Sequence, residues 1–240
     1  MLLITINFQK IGPEASMKRS QINKHIKEAE IFFENMHFHL PPWAFWAPEQ
    51  WQERQDICDQ IINNMLGWDL TDFGGGDFDK KGLLLFTLRN GGSSKGQKPY
   101  AEKIMLVREN QVTPMHFHYL KVEDIINRGG GNLVLRLYGS NEDENLSDGP
   151  LTVEIDGMFR TVKPGDKLRL KPGQSIFFEQ RVYHDFHAEE NKGPVLVGEV
   201  SSINDDLVDN HFYEEIGRFP EISEDELPYR LLVTDYETFL

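Results

Sequence analysis

Cysteine is almost absent from this 240-residue chain: Cys58 is the only one. No internal disulfide can form, and no zinc site built on thiolates can be assembled. The lone thiol reads as a small apolar residue inside a helix, and such cysteine usage fits a reducing compartment. Long apolar runs are missing too. None approaches the ~18 residues of a membrane span, and the opening Met1–Phe8 segment has no basic region and too short an apolar stretch for a secretion signal. The cytoplasm is therefore the expected location. Positive charge is scarce, with 25 Lys and Arg against 39 Asp and Glu and a formal net charge of -14. Nucleic-acid backbones and anionic membranes both require clustered cations, so neither is an expected partner. A small neutral or cationic ligand stays compatible.

What is present is an ordinary folded composition, 39% hydrophobic and 27% charged, on a chain long enough for one large β domain or two small ones. Residues 1–16 read as an extension, because Met17-Lys18-Arg19-Ser20 looks like a natural start before a helix. From Ser20, a plausible N-cap, Ile22, Ile26, Ala29, Phe32, Phe33 and Met36 recur at helical spacing, and Leu40-Pro41-Pro42 stops the run. A second helix is expected over Pro48 to Leu66, with Trp51, Ile57, Ile61, Ile62 and Met65 on its apolar side and Gly67 as its stop. After residue 70 strand-like runs alternate with turn residues: Leu83–Leu88, Ile104–Arg108, Leu133–Tyr138, Leu151–Ile155, Met158–Val162, Lys167–Leu170, Ser175–Phe178, Val182–Phe186 and Leu196–Val200. Asp156-Gly157 is a hairpin signal. Many short strands at this spacing predict a sandwich or barrel. The acidic tail from Asn204 reads as irregular and solvated.

His116-Phe117-His118 follows the Thr113-Pro114 turn. Residues two apart in a strand share a face, so both imidazoles aim one way and Phe117 the other. Glu123 comes five residues later, and a bend returns its carboxylate to the same pocket. Gly129-Gly130-Gly131 then reads as a tight turn. A fourth ligand must come from a neighbouring strand, and His184, ending the run that Pro172-Gly173 opens, has that context. Three imidazoles and a carboxylate suit a borderline or hard divalent ion such as manganese, iron, zinc, cobalt or nickel. His187 is the competitor but faces the opposite side of a strand. Met36-His37-Phe38-His39 repeats the letters of Met115–His118, yet Ala44 stands where the carboxylate would be, and His37 and His39 read as packing residues. His25 and His211 read as ordinary surface or packing histidines.

His116-x-His118-x4-Glu123-x6-Gly130 matches the first cupin motif, and the run from Pro172 to His184 resembles the second. More specifically, the stretch from His116 to Gly131 resembles the D-lyxose isomerase family of cupin sugar isomerases. Leu85–Gly91 and Gly198–Asp206 do so too, and the resemblance covers roughly residues 17–235. It implies a mainly β chain, a cupin double-stranded β-barrel of jelly-roll type with an N-terminal helical layer. The single domain would span residues 17–240, with helices to about 70, the barrel over about 80–203 and an acidic C-terminal segment over about 204–240. It further implies one divalent ion per chain, manganese first among the candidates, a sugar substrate and a homodimer. The activity implied is interconversion of D-lyxose with D-xylulose, and of D-mannose with D-fructose.

Such a reaction moves hydrogen between C1 and C2 of an open-chain sugar. A metal at the two oxygens polarises the carbonyl and stabilises an enediolate, and a base passes the proton along one face. A hydride shift is the alternative, and the sequence does not separate the two. By resemblance Lys121 is catalytic or substrate-contacting, and Lys103 lies near sugar hydroxyls; the bland reading of Lys121 is a rim lysine. Glu199, in a Val/Leu-rich strand, is either the proton-transfer base or half of a structural ion pair, since carboxylates are rarely buried alone. Asp205, Asp206 and Arg218 are candidates to close over the sugar. Trp43, Phe45 and Trp46 form either an aromatic wall for it or part of the core. Two rivals use the same ligands: an iron-dependent cupin dioxygenase, which would consume oxygen, and a non-catalytic sugar-binding cupin, which would bind without turnover.

Overall fold

The structure, a computed structural model, describes residues 16–92, 94–205, 208–217 and 221–240. All of the expected N-terminal extension except Ser16 lies outside that set. The chain opens with β1 (Met17–Lys18) and α1 (Arg19–Asn35), followed by the short helices α2 (Pro48–Gln52) and α3 (Asp59–Asn63). Then come β2 (Gly67–Thr71), β3 (Leu83–Arg89), β4 (Tyr100–Val107), β5 (Thr113–His118), β6 (Glu123–Gly130) and β7 (Leu133–Gly139). They are followed by β8 (Leu151–Ile155), β9 (Met158–Val162), β10 (Lys167–Leu170), β11 (Ser175–Phe178), β12 (Val182–Ala188) and β13 (Val195–Ser202). Last are β14 (Asn210–Phe212), β15 (Ile222–Ser223) and α4 (Tyr236–Phe239).

Eight strands form one sheet in the order β2-β3-β4-β13-β6-β11-β8-β9, and five form another in the order β10-β7-β12-β5-β14. Side-chain alternation gives each strand an inner and an outer set. The inner sets share one core: Leu85, Met105, Ile125 and Val197 from the larger sheet meet Leu135, Leu137 and Phe186 from the smaller. The outer set of the larger sheet, including Leu84, Phe86, Ile104, Leu106 and Leu196, packs on the α1 face of Ile22, Ile26, Ala29 and Phe33. Trp68 stacks on Phe33 at 6.0 Å between ring centroids and meets Phe86 edge-on at 5.1 Å. Burial of each such side chain stabilises by about 1.5–3 kcal/mol. The expected jelly-roll arrangement with a helical layer is therefore present.

Four local expectations are corrected. Helix α1 starts at Arg19, two residues before a Ser20 cap would allow, and Ser20 instead donates its N–H and hydroxyl to Asp225. The second helix is broken into α2 and α3. Asp and Cys are weak helix formers, and the break turns Cys58 into a cluster with Trp51, Leu231 and Tyr236 while Ile57 is left 78% exposed. Gly67 does not stop a helix but begins β2 at φ 131°, where a Cβ would sit 2.4 Å from the Tyr236 hydroxyl. The Gly129–Gly131 run is not a turn either. Gly129 and Gly130 end β6 inside the sheet beside a register shift at Leu196/Val197, and a Cβ on Gly130 would lie 2.3 Å from the Pro194 carbonyl oxygen.

The acidic tail is more structured than expected. β14 joins the smaller sheet and β15 pairs with β1, while Leu231, Leu232, Val233 and Tyr236 are buried. Buried Arg19 donates to Asp235 at 2.8 and 2.9 Å and to Glu224 at 2.6 and 2.9 Å. Burial alone would lower its pKa, but the two carboxylates raise it. Removing one partner of a buried pair leaves an uncompensated charge. Arg19→Ala is thus expected to cost about 3–5 kcal/mol of stability, read as a lower urea midpoint; a loss below ~1 kcal/mol would show that the contact is not structural.

Candidate active site

The site sits between the two sheets and is built by strand alternation. On β5, His116 and His118 face inward while Phe117 is buried outside against Tyr119, Tyr183 and His211. β12 runs antiparallel beside β5 with His184 opposite His116. From the facing sheet, β6 presents Glu123 inward with Ile125. The two strands that carry His118 and Glu123 thus lie in different sheets, joined by the short connection that holds Lys121.

The ligating nitrogens of His116, His118 and His184 all lie within 4.8 Å of one another. Glu123 Oε1 is 3.3 Å from His118 Nε2 and 3.1 Å from His184 Nε2. Atoms each about 2.1 Å from a common ion lie roughly 3–4 Å apart, so these separations fit one. Two further observations agree. His116 Nδ1 donates to the Pro114 carbonyl at 2.8 Å and His184 Nδ1 to that of Val182 at 3.0 Å, which leaves each Nε2 as a lone pair. Outer contacts of this kind fix the tautomer of metal-binding histidines. In addition, His118 Nε2 and Glu123 Oε1 are buried with no hydrogen bond of acceptable geometry. A site of this kind is compatible with a divalent metal ion.

Burial lowers the pKa of His116 well below the ordinary imidazole value, and the neighbouring His184 and His118 push it the same way. Burial and then Lys121 lower that of His118. For Glu123 burial works in the opposite sense, but Lys121 and His118 override it and hold the carboxyl well below its usual range. The site therefore favours neutral His116 and His118 and an ionised Glu123, the protonation states that bind metal.

The remaining inward positions supply a second polar group. Lys121 Nζ lies 2.8 Å from Glu123 Oε2 and 2.9 Å from Glu199 Oε1. Lys103 Nζ lies 3.6 Å from the same Glu199 oxygen. Both ammonium groups donate to Asn204 Oδ1, at 2.8 and 3.4 Å. Glu199 faces inward because it alternates with Val195 and Val197 on β13, and Lys103 because it alternates with Met105 on β4. Lys121, Lys103 and Glu199 are all buried, so Lys121 is not a rim lysine.

Of the remaining expected positions, Asp205 is exposed and does not line the cavity, and Asp206 and Arg218 lie outside the described residues. Trp43 packs on Phe86 and Trp51, and none of Trp43, Phe45 and Trp46 lines the cavity. The aromatic wall comes from Phe73 and Phe212, 5.8 Å apart, with Phe212 stacked on His116 at 5.3 Å. These two residues, with Asp69 and Thr71 on β2, were not anticipated. Asp69 and Thr71 lie where a helix end was expected, and Phe212 lies in a tail read as irregular. His37 and His39 are exposed, and His187 is half-buried and away from the cavity.

Facing sheets that hold three histidines and a carboxylate between them define a cupin, and comparison with known proteins narrows the class. A model of the D-lyxose isomerase family matches residues 17–236. A D-lyxose/D-mannose isomerase of Serratia proteamaculans is 48% identical over 229 residues, covering 93% of this chain and 100% of the relative. One of Escherichia coli O157:H7 is 49% identical over 227 residues with the same coverage. In fold alone, the L-ribose isomerase of Cellulomonas parahominis superposes with a TM-score of 0.59 at 14% identity, over 88% of this chain and 100% of that one. The chain belongs to the D-lyxose isomerase family and is an aldose–ketose isomerase. The dioxygenase and non-catalytic readings are set aside.

The lowered imidazole pKa values carry a sign. Below about pH 6.5 the unfolded chain takes up protons that folded His116 and His118 refuse. Stability of the metal-free chain is therefore expected to fall as pH drops through that value, by up to about 1.4 kcal/mol per pH unit per imidazole. The depressed Glu123 adds loss of the same sign only below about pH 4.5. Urea denaturation at pH 7.5 and 5.5 with chelator checks this, and His116→Gln is expected to flatten the slope. Equal slopes in the two proteins would refute the assignment.

Proposed function

We propose that the chain interconverts D-lyxose with D-xylulose, and D-mannose with D-fructose, using one divalent ion held by His116, His118, Glu123 and His184. The observation that carries this reading is the convergence of those four side chains beside a buried Lys121–Glu199 pair. The names of the two relatives support the substrates. The hard and borderline donor set suits manganese first, with zinc, cobalt, iron and nickel as alternatives. Bound there, such an ion supplies Lewis-acid polarisation of the sugar carbonyl.

The protein's own groups would perform the proton movements. Glu199 takes the proton from C2 of the open-chain aldose and returns it to C1. Lys121, between Glu199 and Glu123, donates a proton to O1 and recovers one from O2, so the balance closes. Lys103 orients a sugar hydroxyl, and Phe73 and Phe212 exclude water and offer an apolar face to the sugar C–H groups. Asp205, Asp206 and Arg218 are kept in this reading as the acidic-tail candidates to close over the sugar, although Asp205 is exposed and outside the cavity lining and the other two lie outside the described residues.

We read residues 17–240 as one cupin domain, since α1 shares its core with the larger sheet. A homodimer belongs to the same proposal, supported by the edge strand β9, where Met158 and Phe159 are 54% and 77% exposed. Among the described residues no helix is long and apolar enough to cross a membrane. The single cysteine and the net negative charge support a cytoplasmic enzyme without nucleic-acid or membrane partners.

Chelator-stripped protein is expected to lose D-lyxose turnover and to regain it with manganese, while His118→Ala stays inactive. Glu199→Gln should lower kcat by about 10²–10⁴-fold and leave one manganese bound per chain. In D2O, product should carry solvent deuterium at C1. Full retention of the substrate hydrogen would replace the Glu199 step with a hydride shift. No turnover of either aldose by manganese-loaded protein would end the substrate assignment.

A further inference from the structure

The chemistry above leaves the buried carboxylate of Asp209 without a task. Three successive amides of the β5–β6 connection close on this residue. Tyr119 N–H donates to its backbone carbonyl at 3.1 Å, Leu120 N–H to Oδ1 at 2.7 Å and Lys121 N–H to Oδ2 at 3.1 Å. Its own N–H donates to the Asp205 carbonyl at 3.0 Å. The side chain is thus fixed from several directions, and Oδ2 is held 3.9 Å from His118 Nδ1.

That nitrogen is the exception among the three imidazoles. His116 Nδ1 and His184 Nδ1 each have a backbone carbonyl two residues earlier, whereas His118 Nδ1 is buried without a hydrogen-bond partner. A neutral imidazole carries one proton, and only the nitrogen without it can bind a metal. In this buried setting the negative charge of Asp209 favours the proton on Nδ1, which leaves the Nε2 lone pair facing Glu123 and His184. We infer that Asp209 is a positioning residue: it selects the metal-binding tautomer of His118 and, through the same grip, fixes the backbone that carries Lys121. The inference rests on the metal-site reading above.

The test uses the full-length chain. Long-range proton–nitrogen correlation spectra of chelator-stripped protein report the tautomer of each histidine, and calorimetry reports the manganese dissociation constant. All three site imidazoles are expected as Nδ1–H in the unaltered protein. In Asp209→Asn, His118 is expected to shift toward Nε2–H while His116 and His184 stay as they are. Manganese affinity should fall about 10–100-fold, the range typical of outer-contact changes. An unchanged His118 tautomer with affinity within about twofold would overturn the assignment. Should Asp209→Asn fail to fold, the spectrum of the unaltered protein still decides: an Nε2–H tautomer at His118 refutes the role. If the unaltered protein binds no manganese, the metal reading falls while the tautomers still judge Asp209.

Discussion

Charge compensation inside the barrel is the constraint on which this site depends. Glu123, Glu199, Lys103, Lys121 and three imidazoles lie on inward faces that also carry Leu85, Met105, Ile125 and Phe186. Isolated, each charge would be expelled or neutralised, because burial without a partner costs several kcal/mol per ion. Lys121 resolves this by standing between Glu123 and Glu199, with Lys103 on the far side of Glu199. The same contact that makes burial tolerable sets the electrostatic character of the pocket. It keeps Glu123 ionised and disfavours a second positive charge on His118. Stability and chemistry are thus two readings of one ion-pair network.

The rest of the architecture holds that network rigid. The larger sheet has to be apolar on both faces, because its inner face closes the barrel and its outer face receives α1. β3 and β4 accordingly read as near-continuous apolar runs, Leu83–Leu88 and Ile104–Val107, in which alternate residues belong to different cores. The helical layer lies on the opposite side of the sheet from the chemistry. Its contribution is to fix the strands from which Lys103 and Glu199 project, and the Arg19–Asp235–Glu224 contacts secure its first turn against the far end of the chain.

Much of this was legible in the sequence where a short-range rule applied. The ranges of β8, β9, β10 and β11 match their alternation and turn residues. His116 and His118 share a face because they are two apart. Lys121 and Lys103 are suggested by resemblance and Glu199 by its place in a Val/Leu-rich strand, and their burial becomes intelligible only with partners in view. What escaped depended on long-range pairing. β2 and its Asp69 and Thr71 were hidden because the segment before Gly67 carries helical periodicity. Phe212 was hidden because β14 is three residues long and exists only through pairing with β5. The Gly129–Gly131 run was misread because glycine marks both turns and bulges, and only the neighbouring Pro194 distinguishes them. Asp209 gave no local signal, since its partners lie about ninety residues earlier.

The place of β13 in the larger sheet has a consequence for biogenesis. It pairs with β4 on one side and β6 on the other, yet it is among the last long strands in the chain. A nascent chain that has emerged as far as β12 already carries all three histidines and Glu123, but its larger sheet is split into two pieces, each with an open edge. Such edges invite pairing with other chains, and non-local strand insertion is intrinsically slow. The larger sheet is continuous only once residues 195–202 join β4 to β6.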